Sequence, residues 1–404
     1  MGKVTDHEAR RNFDLLVLGS GISGISAAIA AAEQGLNVAL VTKEASMFES
    51  NTWYAQGGII GESEQDNPHL LEQDIIQAGA YMNNVETVRL LVEEGPKLVN
   101  DFLTEKIHVP FSRNAEGAID LTREAAHSVR RIYHVTDKTG EAIQTALIEY
   151  LKGVENVSVF ESHTAVDLIT NVHNSSNPQD LYKSTAVVGA YVLDGIAGKV
   201  SVFLAPTVIL STGGVGNLFL QTSNPQGATG DGIAMAYRIG AEVMNAEYVQ
   251  FHPTVLYHPQ VKRFLITESL RGEGARLMNR KGEYFMERYN PRQLDLAPRD
   301  EVARAIYREM QEEDSDFVRL DARGITEISL DERFPGIFGK CMEIGIDIRK
   351  EPIPVVPAAH FFCGGIKVGH DGETSIEGLY AVGETACTGV HGANRLASVS
   401  LLEG

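Results

Sequence analysis

The chain has 404 residues and a formal net charge of −19 at pH 7. A chain of this length exceeds the size at which one hydrophobic core usually stops growing, so we expect two domains or one domain with a large insertion. The excess of acidic residues argues against nucleic acid and anionic membrane surfaces as partners, because neither lysines nor arginines form a dominant patch.

Three cysteines, Cys341, Cys363 and Cys387, lie far apart and cannot supply the four thiolates of an iron–sulfur cluster. We expect all three to be buried small hydrophobic residues, and no metal site is predicted. The first twelve residues are polar and lack the apolar segment of a signal peptide, and no later stretch is long and apolar enough to span a membrane. A cytoplasmic location is therefore expected.

The first predicted elements form a strand, a glycine-rich turn and a helix. The apolar run FDLLVL leads directly into GSGISG, and the Ala-rich segment that follows favours a helix ending at Gly35. Gly19, Gly21 and Gly24 match the pattern G-x-G-x-x-G, in which missing side chains let backbone N–H groups approach a pyrophosphate. The pattern alone is a weak signal, but its position between strand and helix predicts a dinucleotide site.

The next predicted strand ends at Lys43, where a dinucleotide-binding domain usually carries a carboxylate for the ribose. Residues 67–103 and 136–151 then carry apolar residues at helical spacing. The lysine departs from the usual pattern and calls for another explanation.

Strand patterns return in residues 184–194 and 199–214, and the second of these ends in another pair of glycines. Residues 245–351 differ in composition, and their pattern predicts charged helices and loops. Glycine-rich strand patterns resume at 358–368 and 378–384. This return predicts a domain inserted into a discontinuous nucleotide-binding domain.

Eight motifs, in order along the chain, resemble those of the FAD-dependent flavoproteins of the fumarate reductase and succinate dehydrogenase group. The motifs are SNTWYAQGG, NPQGATGDGIAMAYRIGAE, QFHPT, TESLRGEGARL, APRDEVARAI, PAAHFFCGGI, GLYAVGE and HGANRLAS. Within that group they are most similar to those of the L-aspartate oxidases. The resemblance extends from Phe13 onward and is far more specific than a glycine pattern.

The resemblance implies an α/β fold with a discontinuous, glutathione-reductase-like FAD-binding domain of the Rossmann type. Residues 1–245 and 352–404 are expected to form that domain, and residues 246–351 an inserted α+β capping domain. Members of the family continue past the position of Gly404 into a helical C-terminal domain. That domain is expected to be absent here.

The resemblance also implies which residues contact FAD. The strand-end position of Lys43 is commonly basic in this group and lies by the adenosine. Histidine stands at the position of Asn51 where FAD is attached covalently, so noncovalent FAD is implied here. The full set of implied contacts is Gly19, Ser20, Gly21, Ile22, Ser23, Gly24, Lys43, Asn51, Thr52, Trp53, Tyr54, Ala55, Gln56, Gly57, Gly58, Val166, Asp231, Glu384, Ser400 and Leu401.

The substrate positions implied by the resemblance are His252, Thr267, His360 and Arg395, with Arg299 as the catalytic residue. Arginine grips a carboxylate with two parallel donors, and histidine and threonine add single oriented ones, which suits a C4 dicarboxylate. In fumarate reductases the arginine at the position of Arg299 delivers a proton to the substrate carbon. With aspartate as donor, Arg299 would mainly orient the substrate.

Taken singly, these residues have simpler explanations. His252 fits a loop histidine, Thr267 a helix N-cap, Arg299 a helix start and Arg395 a bridge between domains. Their occurrence together, in the order of the family, favours the active site.

Glu124 is a candidate for distinguishing aspartate from succinate, because a carboxylate pairs with an ammonium group and disfavours a purely anionic dicarboxylate. The alternative is that Glu124 pairs with Arg123, Arg130 or Arg131 nearby in the sequence.

Val399 departs from the family pattern, in which asparagine usually follows HGANRLAS. The loss of a side-chain amide there is expected to weaken a helix cap or alter a flavin contact.

The expected reaction is FAD-dependent oxidation of L-aspartate to iminoaspartate, with O2 or fumarate as electron acceptor. In the family this reaction begins de novo NAD biosynthesis, and quinolinate synthase consumes the product. The alternatives are a soluble fumarate reductase or succinate dehydrogenase flavoprotein, and an inactive truncated FAD-binding remnant.

Overall fold

The computed structural model describes residues 10–124, 126–173 and 175–404, apart from the side chain of Leu181. The strands, β1 to β19 in chain order, are Arg10–Asn12, Leu15–Leu18, Val38–Val41, Ile59–Ile60, Leu121–Thr122, Ile132–Tyr133, Val157–Phe160, His163–Thr170, Val187–Asp194, Lys199–Leu204, Thr207–Leu210, Val243–Met244, Val249–Leu256, Arg276–Met278, Val318–Asp321, Ile353–Phe362, Gly365–Lys367, Leu379–Ala381 and Ala386–Cys387.

The α-helices, α1 to α11 in chain order, are Ile22–Glu33, Pro68–Ala78, Val85–Leu98, Thr139–Leu151, Asp231–Arg238, Glu268–Gly272, Met286–Tyr289, Arg299–Glu312, Leu330–Arg333, Pro335–Glu343 and Val399–Glu403. A π-helical segment, Val99–Lys106, continues α3 directly. The helical pattern predicted over 67–103 is therefore confirmed, with a break between α2 and α3.

A five-stranded parallel sheet carries the glycine-rich turn. Its strand order is β18-β11-β2-β3-β7, and every neighbouring pair is parallel. All four residues of β2 and of β3 are buried, which is typical of parallel strands covered on both faces. The carboxyl ends of the strands therefore meet at one edge, where such sheets bind their ligands. The predicted βαβ opening is confirmed.

A second sheet packs beside the first and is mostly antiparallel. Its order is β1-β10-β9-β8, with a parallel pair only between β1 and β10. Buried residues of both sheets share one hydrophobic cluster, which includes Leu16, Val192 and Phe203. This arrangement leaves the carboxyl edge of the parallel sheet open.

The layer that we call the cap consists of strands β13 to β16 and helices α6 to α10, and it has its own hydrophobic core. A four-stranded antiparallel sheet of order β13-β16-β15-β14 packs with α6 to α10 around residues such as Ile306, Phe334 and Ile353. Strand β16, Ile353–Phe362, belongs to this sheet through both of its neighbours. The boundary expected at residue 352 stays a prediction, because the end of β16 also contacts the FAD-binding side, where Ala359 forms a bridge with Thr222.

The three cysteines are buried and free, as expected. Within the described ranges, no helix combines the length and the apolar character needed to cross a membrane. Residues 1–9 of the polar N-terminal segment lie outside the described residues.

Candidate active site

A long cleft of about 340 Å³ runs from the glycine-rich turn along the carboxyl edge of the parallel sheet to the cap. Most of the residues expected to hold the cofactor and the substrate line it. Glu384, Ser400 and Leu401 are among them, although they come from the last tenth of the chain.

The glycine-rich turn begins the cleft. Gly24 packs so closely that a Cβ there would lie 2.0 Å from the carbonyl oxygen of Gly19, which itself has φ +118°. The side-chain amide of Gln144 donates to the carbonyl oxygen of Ser20 at 2.7 Å and holds the turn in place. The turn therefore presents the N-terminus of α1, a twelve-residue helix with no acidic residue in its first turn, to the cleft. Such a terminus favours a pyrophosphate.

Lys43 crosses the cleft from the end of β3 to the start of α5. Its Nζ donates to Thr229 Oγ1 at 2.9 Å and forms an ion pair with Asp231. Burial alone would raise the pKa of Asp231, but hydrogen bonds from Lys43 and Thr229 outweigh it and hold the pKa below its ordinary value. The lysine at the strand end thus neutralises a carboxylate supplied by another element.

Val166 does not line the cleft. Its carbonyl oxygen accepts a hydrogen bond from Arg238 at 3.2 Å, and its side chain is exposed. The cleft wall at this point is formed by His163, Thr164 and Ala165 instead.

Asn51 and Glu384 meet in the middle of the cleft. The Asn51 amide donates to Glu384 Oε2 at 2.7 Å and accepts from Asn224 at 3.1 Å. The other oxygen of Glu384 accepts the backbone N–H of Phe362 at 3.0 Å. Burial raises the pKa of Glu384 to about 7 in spite of these donors. A Cβ on Gly214 would lie 2.3 Å from this carboxylate, so glycine is needed for the approach.

Helix α11 lies at the far end of the cleft, with Ser400 and Leu401 in its lining. Val399 is fully buried in the main hydrophobic core rather than in the cleft. Ser398 occupies the N-cap position and makes no side-chain cap bond. The valine therefore adds core packing at a position where an amide was expected.

Two neutral histidines face each other where the cap meets the cleft. The rings of His252 and His360 are 5.1 Å apart between centroids, and Ser223 Oγ lies 2.7 Å from His360 Nδ1. Burial, with Arg299 and Arg395 nearby, places the pKa of both well below the ordinary value. His252 Nδ1 accepts the backbone N–H of Thr254 at 3.2 Å, so its proton is on Nε2.

Two arginines supply the positive charge of this part of the cleft. Arg299, the first residue of α8, donates from Nε to Glu268 at 2.6 Å. Arg395 donates from Nη1 to Ser400 Oγ at 3.1 Å, and its guanidinium lies 4.8 Å from the ring centroid of Phe361. Burial lowers the pKa of Arg395 to about 10, so it remains a cation at neutral pH.

Glu124 closes the same pocket from the FAD-binding side. Its Oε2 accepts the hydroxyl of Ser398 at 2.6 Å, and burial raises its pKa although Arg299 and Arg395 oppose this. Arg131 pairs instead with Asp66 and Asp74, each at 2.9 Å. The alternative partner Arg130 donates to the carbonyl oxygen of Leu121.

The comparisons with known proteins agree with this geometry. The family model "FAD binding domain" matches residues 14–401. The L-aspartate oxidase of Acinetobacter baylyi is 45% identical over 98% of this chain and 71% of its own length, and that of Pseudomonas aeruginosa is 44% identical over 96% and 72%.

This chain belongs to the L-aspartate oxidase family. Within the solved structures it is similar to a variant FrdA of E. coli quinol fumarate reductase, with a TM-score of 0.89 and 30% identity over 98% of this chain and 68% of that one. Mycobacterium smegmatis Sdh1 gives a TM-score of 0.79 at 32% identity, covering 98% and 66%. The fold class and family expected from the sequence are confirmed, and FAD is the cofactor of the matched domain.

The structure brings into this family's cleft all of the expected site residues except Val166 and Gly24, the latter packing beneath the turn. It also adds residues that sequence reasoning did not select. These are Ser223 and Asn224 beside His360, Glu268 beside Arg299, and Ser398 beside Glu124. Asn224, Glu268 and Ser398 lie inside motifs on which the family resemblance rests. Their position in those motifs was the signal that could have identified them.

Proposed function

We propose that this chain oxidises L-aspartate to iminoaspartate with noncovalently bound FAD, as the first step of NAD biosynthesis through quinolinate. The observation that carries the proposal is the combination, in one cleft, of two arginines, two neutral histidines and a buried carboxylate, Glu124. The curated relatives at about 45% identity are L-aspartate oxidases, whereas the fumarate reductase and Sdh1 structures are about 30% identical.

The cleft fits FAD along its length. The tight glycine turn and the N-terminus of α1 suit the pyrophosphate, and Lys43 with Asp231 would hold the adenosine end. When bound, FAD accepts the hydride of the substrate and passes two electrons to O2, giving hydrogen peroxide, or to fumarate. Asn51 supports noncovalent binding, because an amide engaged by Glu384 and Asn224 offers no nucleophile for attachment.

Arg395 and Arg299 would hold the carboxylates of aspartate from opposite ends of the molecule. Buried Nε of Arg395 has no hydrogen-bond partner among the described residues, which leaves a donor for an anionic group. His252 would add a single donor from Nε2. Fixing both carboxylates would restrain the central carbons, the positioning that hydride transfer to bound FAD would require.

Glu124 would receive the substrate ammonium group. Its carboxylate stands in the same pocket as the arginines, and a dicarboxylate without an ammonium group would meet it as a like charge. Once the ammonium group has lost a proton to the carboxylate of Glu124, its nitrogen lone pair would assist departure of the hydride from Cα, so no base is needed to remove a proton from carbon. Arg299 orients the substrate in this direction and supplies the proton to carbon when fumarate is reduced. Iminoaspartate is unstable, which favours functional coupling to quinolinate synthase.

The test is the absorbance of the purified protein, supplemented with FAD, on anaerobic mixing with L-aspartate. D-aspartate and succinate are mixed in parallel. Bleaching of the flavin by L-aspartate alone is expected. Bleaching by succinate would assign the chain to the dehydrogenase alternative, and a bound flavin that no dicarboxylate bleaches would support the inactive alternative.

A further inference from the structure

We propose that Ser398 and Gly57 together orient the carboxylate of Glu124 toward the substrate ammonium group. Ser398 is on this view a positioning residue for amino-acid specificity, acting through Glu124. The inference rests on the proposed function, because only an amino-acid substrate brings an ammonium group to the pocket.

Ser398 has a backbone conformation that its position in a helix does not require. It lies at the N-cap position of α11 with φ +62° and ψ 1°, a left-handed conformation that is uncommon for residues other than glycine. A serine at an N-cap usually accepts a hydrogen bond from the helix backbone, but this hydroxyl makes no cap bond. It donates instead to Glu124 Oε2 at 2.6 Å, across 274 residues of sequence.

Gly57 provides space for the other oxygen of the same carboxylate. A Cβ at Gly57 would lie 2.4 Å from Glu124 Oε1, so the carboxylate would have to move. The backbone of Gly57 is itself held, because its carbonyl oxygen accepts the hydroxyl of Thr139 in the first turn of α4. One oxygen of Glu124 is thus hydrogen-bonded, and the other lies in the space that the missing Cβ of Gly57 leaves.

The hydroxyl donor of Ser398 favours the charged form of Glu124. Glu124 is buried, and burial favours its neutral form, in which it would attract an ammonium group less strongly. Hydrogen bonding from Ser398 stabilises the charged form, as do the cations of Arg299 and Arg395. Because the arginines also bind the substrate, Ser398 is the donor that remains dedicated to Glu124 during turnover.

The experiment measures kcat and KM for L-aspartate oxidation and for fumarate reduction in the FAD-loaded protein. Ser398→Ala should raise the KM for L-aspartate about ten-fold, as expected for the loss of a hydrogen bond to a charged group, and the KM for fumarate less than two-fold. Ser398→Gly removes the same hydroxyl and relieves the positive φ, so it should show the same asymmetry even if alanine folds poorly. Gly57→Ala, which displaces the carboxylate, should also raise the KM for L-aspartate.

A double-mutant cycle separates positioning from a merely structural role. In a Glu124→Gln background, Ser398→Ala should change the KM for L-aspartate by less than two-fold. Equal effects on aspartate and fumarate, or an undiminished effect of Ser398→Ala in the Glu124→Gln background, would overturn the inference. If the wild-type flavin is bleached by L-aspartate while Ser398→Ala and Ser398→Gly behave like wild type, only this inference fails. If L-aspartate does not bleach the wild type, the proposed function and the inference fail together.

Discussion

Asp137 provides a contact between the FAD-binding side and the cap that substitution can break. Helix α10 of the cap starts without a side-chain cap of its own. Asp137, which lies just before α4 and is buried, supplies the missing acceptor, since its Oδ2 accepts the backbone N–H groups of Gly336 at 2.9 Å and Ile337 at 3.3 Å. The carboxylate therefore joins the two units at a helix N-terminus, where negative charge is favourable.

The expected effect of Asp137→Ala follows from those two bonds. Losing an N-cap costs about 1 kcal/mol, and losing the charge at the helix end costs up to about 1 kcal/mol more. A total of about 2 kcal/mol corresponds to roughly a 30-fold change in the equilibrium constant for breaking this contact. Because the proposed substrate site lies between the two units, the KM for L-aspartate should rise by about ten- to thirty-fold in Asp137→Ala.

The assay is steady-state production of hydrogen peroxide from L-aspartate, with FAD content and the urea unfolding midpoint measured on the same samples. Asp137→Asn is the matched control, because it keeps the cap acceptor and loses only the charge, and its KM should rise less than five-fold. A KM within two-fold of wild type in Asp137→Ala would refute the reasoning. So would a change confined to the unfolding midpoint, because the contact would then support folding without controlling the cap.

Three further predictions concern the cleft. Glu124→Gln should raise the KM for L-aspartate more than that for fumarate, and equal increases in steady-state assays would contradict a role in sensing the ammonium group. Burial raises the pKa of Glu384 to about 7, so the folded apoprotein keeps a proton that the unfolded chain releases near pH 4.5. The free energy of unfolding should therefore fall as the pH rises from about 4.5 to about 7. The melting temperature should show this slope in the wild type and lose it in Glu384→Gln. Gly24→Ala would place a Cβ 2.0 Å from the Gly19 carbonyl oxygen, and the purified protein should contain little FAD; a normal flavin content would be evidence against the packing described for this turn.

The parallel sheet and its glycine turn could be predicted because their signals are local. The run FDLLVL is apolar throughout, and a continuous apolar run next to a glycine-rich turn indicates a strand buried on both faces. The spacing of Gly19, Gly21 and Gly24 likewise depends on one turn, whose tight packing requires missing side chains. The family resemblance then predicted the residues that line the cleft, except for Val166 and for Gly24, which lies beneath it.

The sheet to which strand β16 belongs could not be predicted from such local signals. Ile353–Phe362 is an apolar strand in either assignment, and its pattern does not indicate which sheet it joins. Pairing decides the matter, since β16 lies between β13 and β15 of the cap. The glycines that follow Phe362 predicted a return to the FAD-binding domain, and the boundary at residue 352 stays a prediction.

Contacts between distant residues were also beyond the sequence. Lys43 meets Asp231 across 188 residues, and Ser398 meets Glu124 across 274. The lysine at the strand end departed from the usual pattern because a carboxylate is common at that position. In the structure it supplies the charge balance for an acidic residue at the start of α5, so the same end of the cleft contains both a cation and a carboxylate.

Two buried arginines show why residue type alone does not identify a binding site. Arg131 is fully buried and paired with Asp66 and Asp74, so its charge is balanced within the protein. Arg395 is also buried, but its Nη1 reaches only a serine hydroxyl and its Nε has no hydrogen-bond partner in the described part of the chain. An uncompensated buried charge is costly, and an anionic ligand would offset that cost. Glu124 and Glu384 offset part of the Arg395 charge without a hydrogen bond to it, and the open Nε donor is the feature that suits Arg395 to a dicarboxylate.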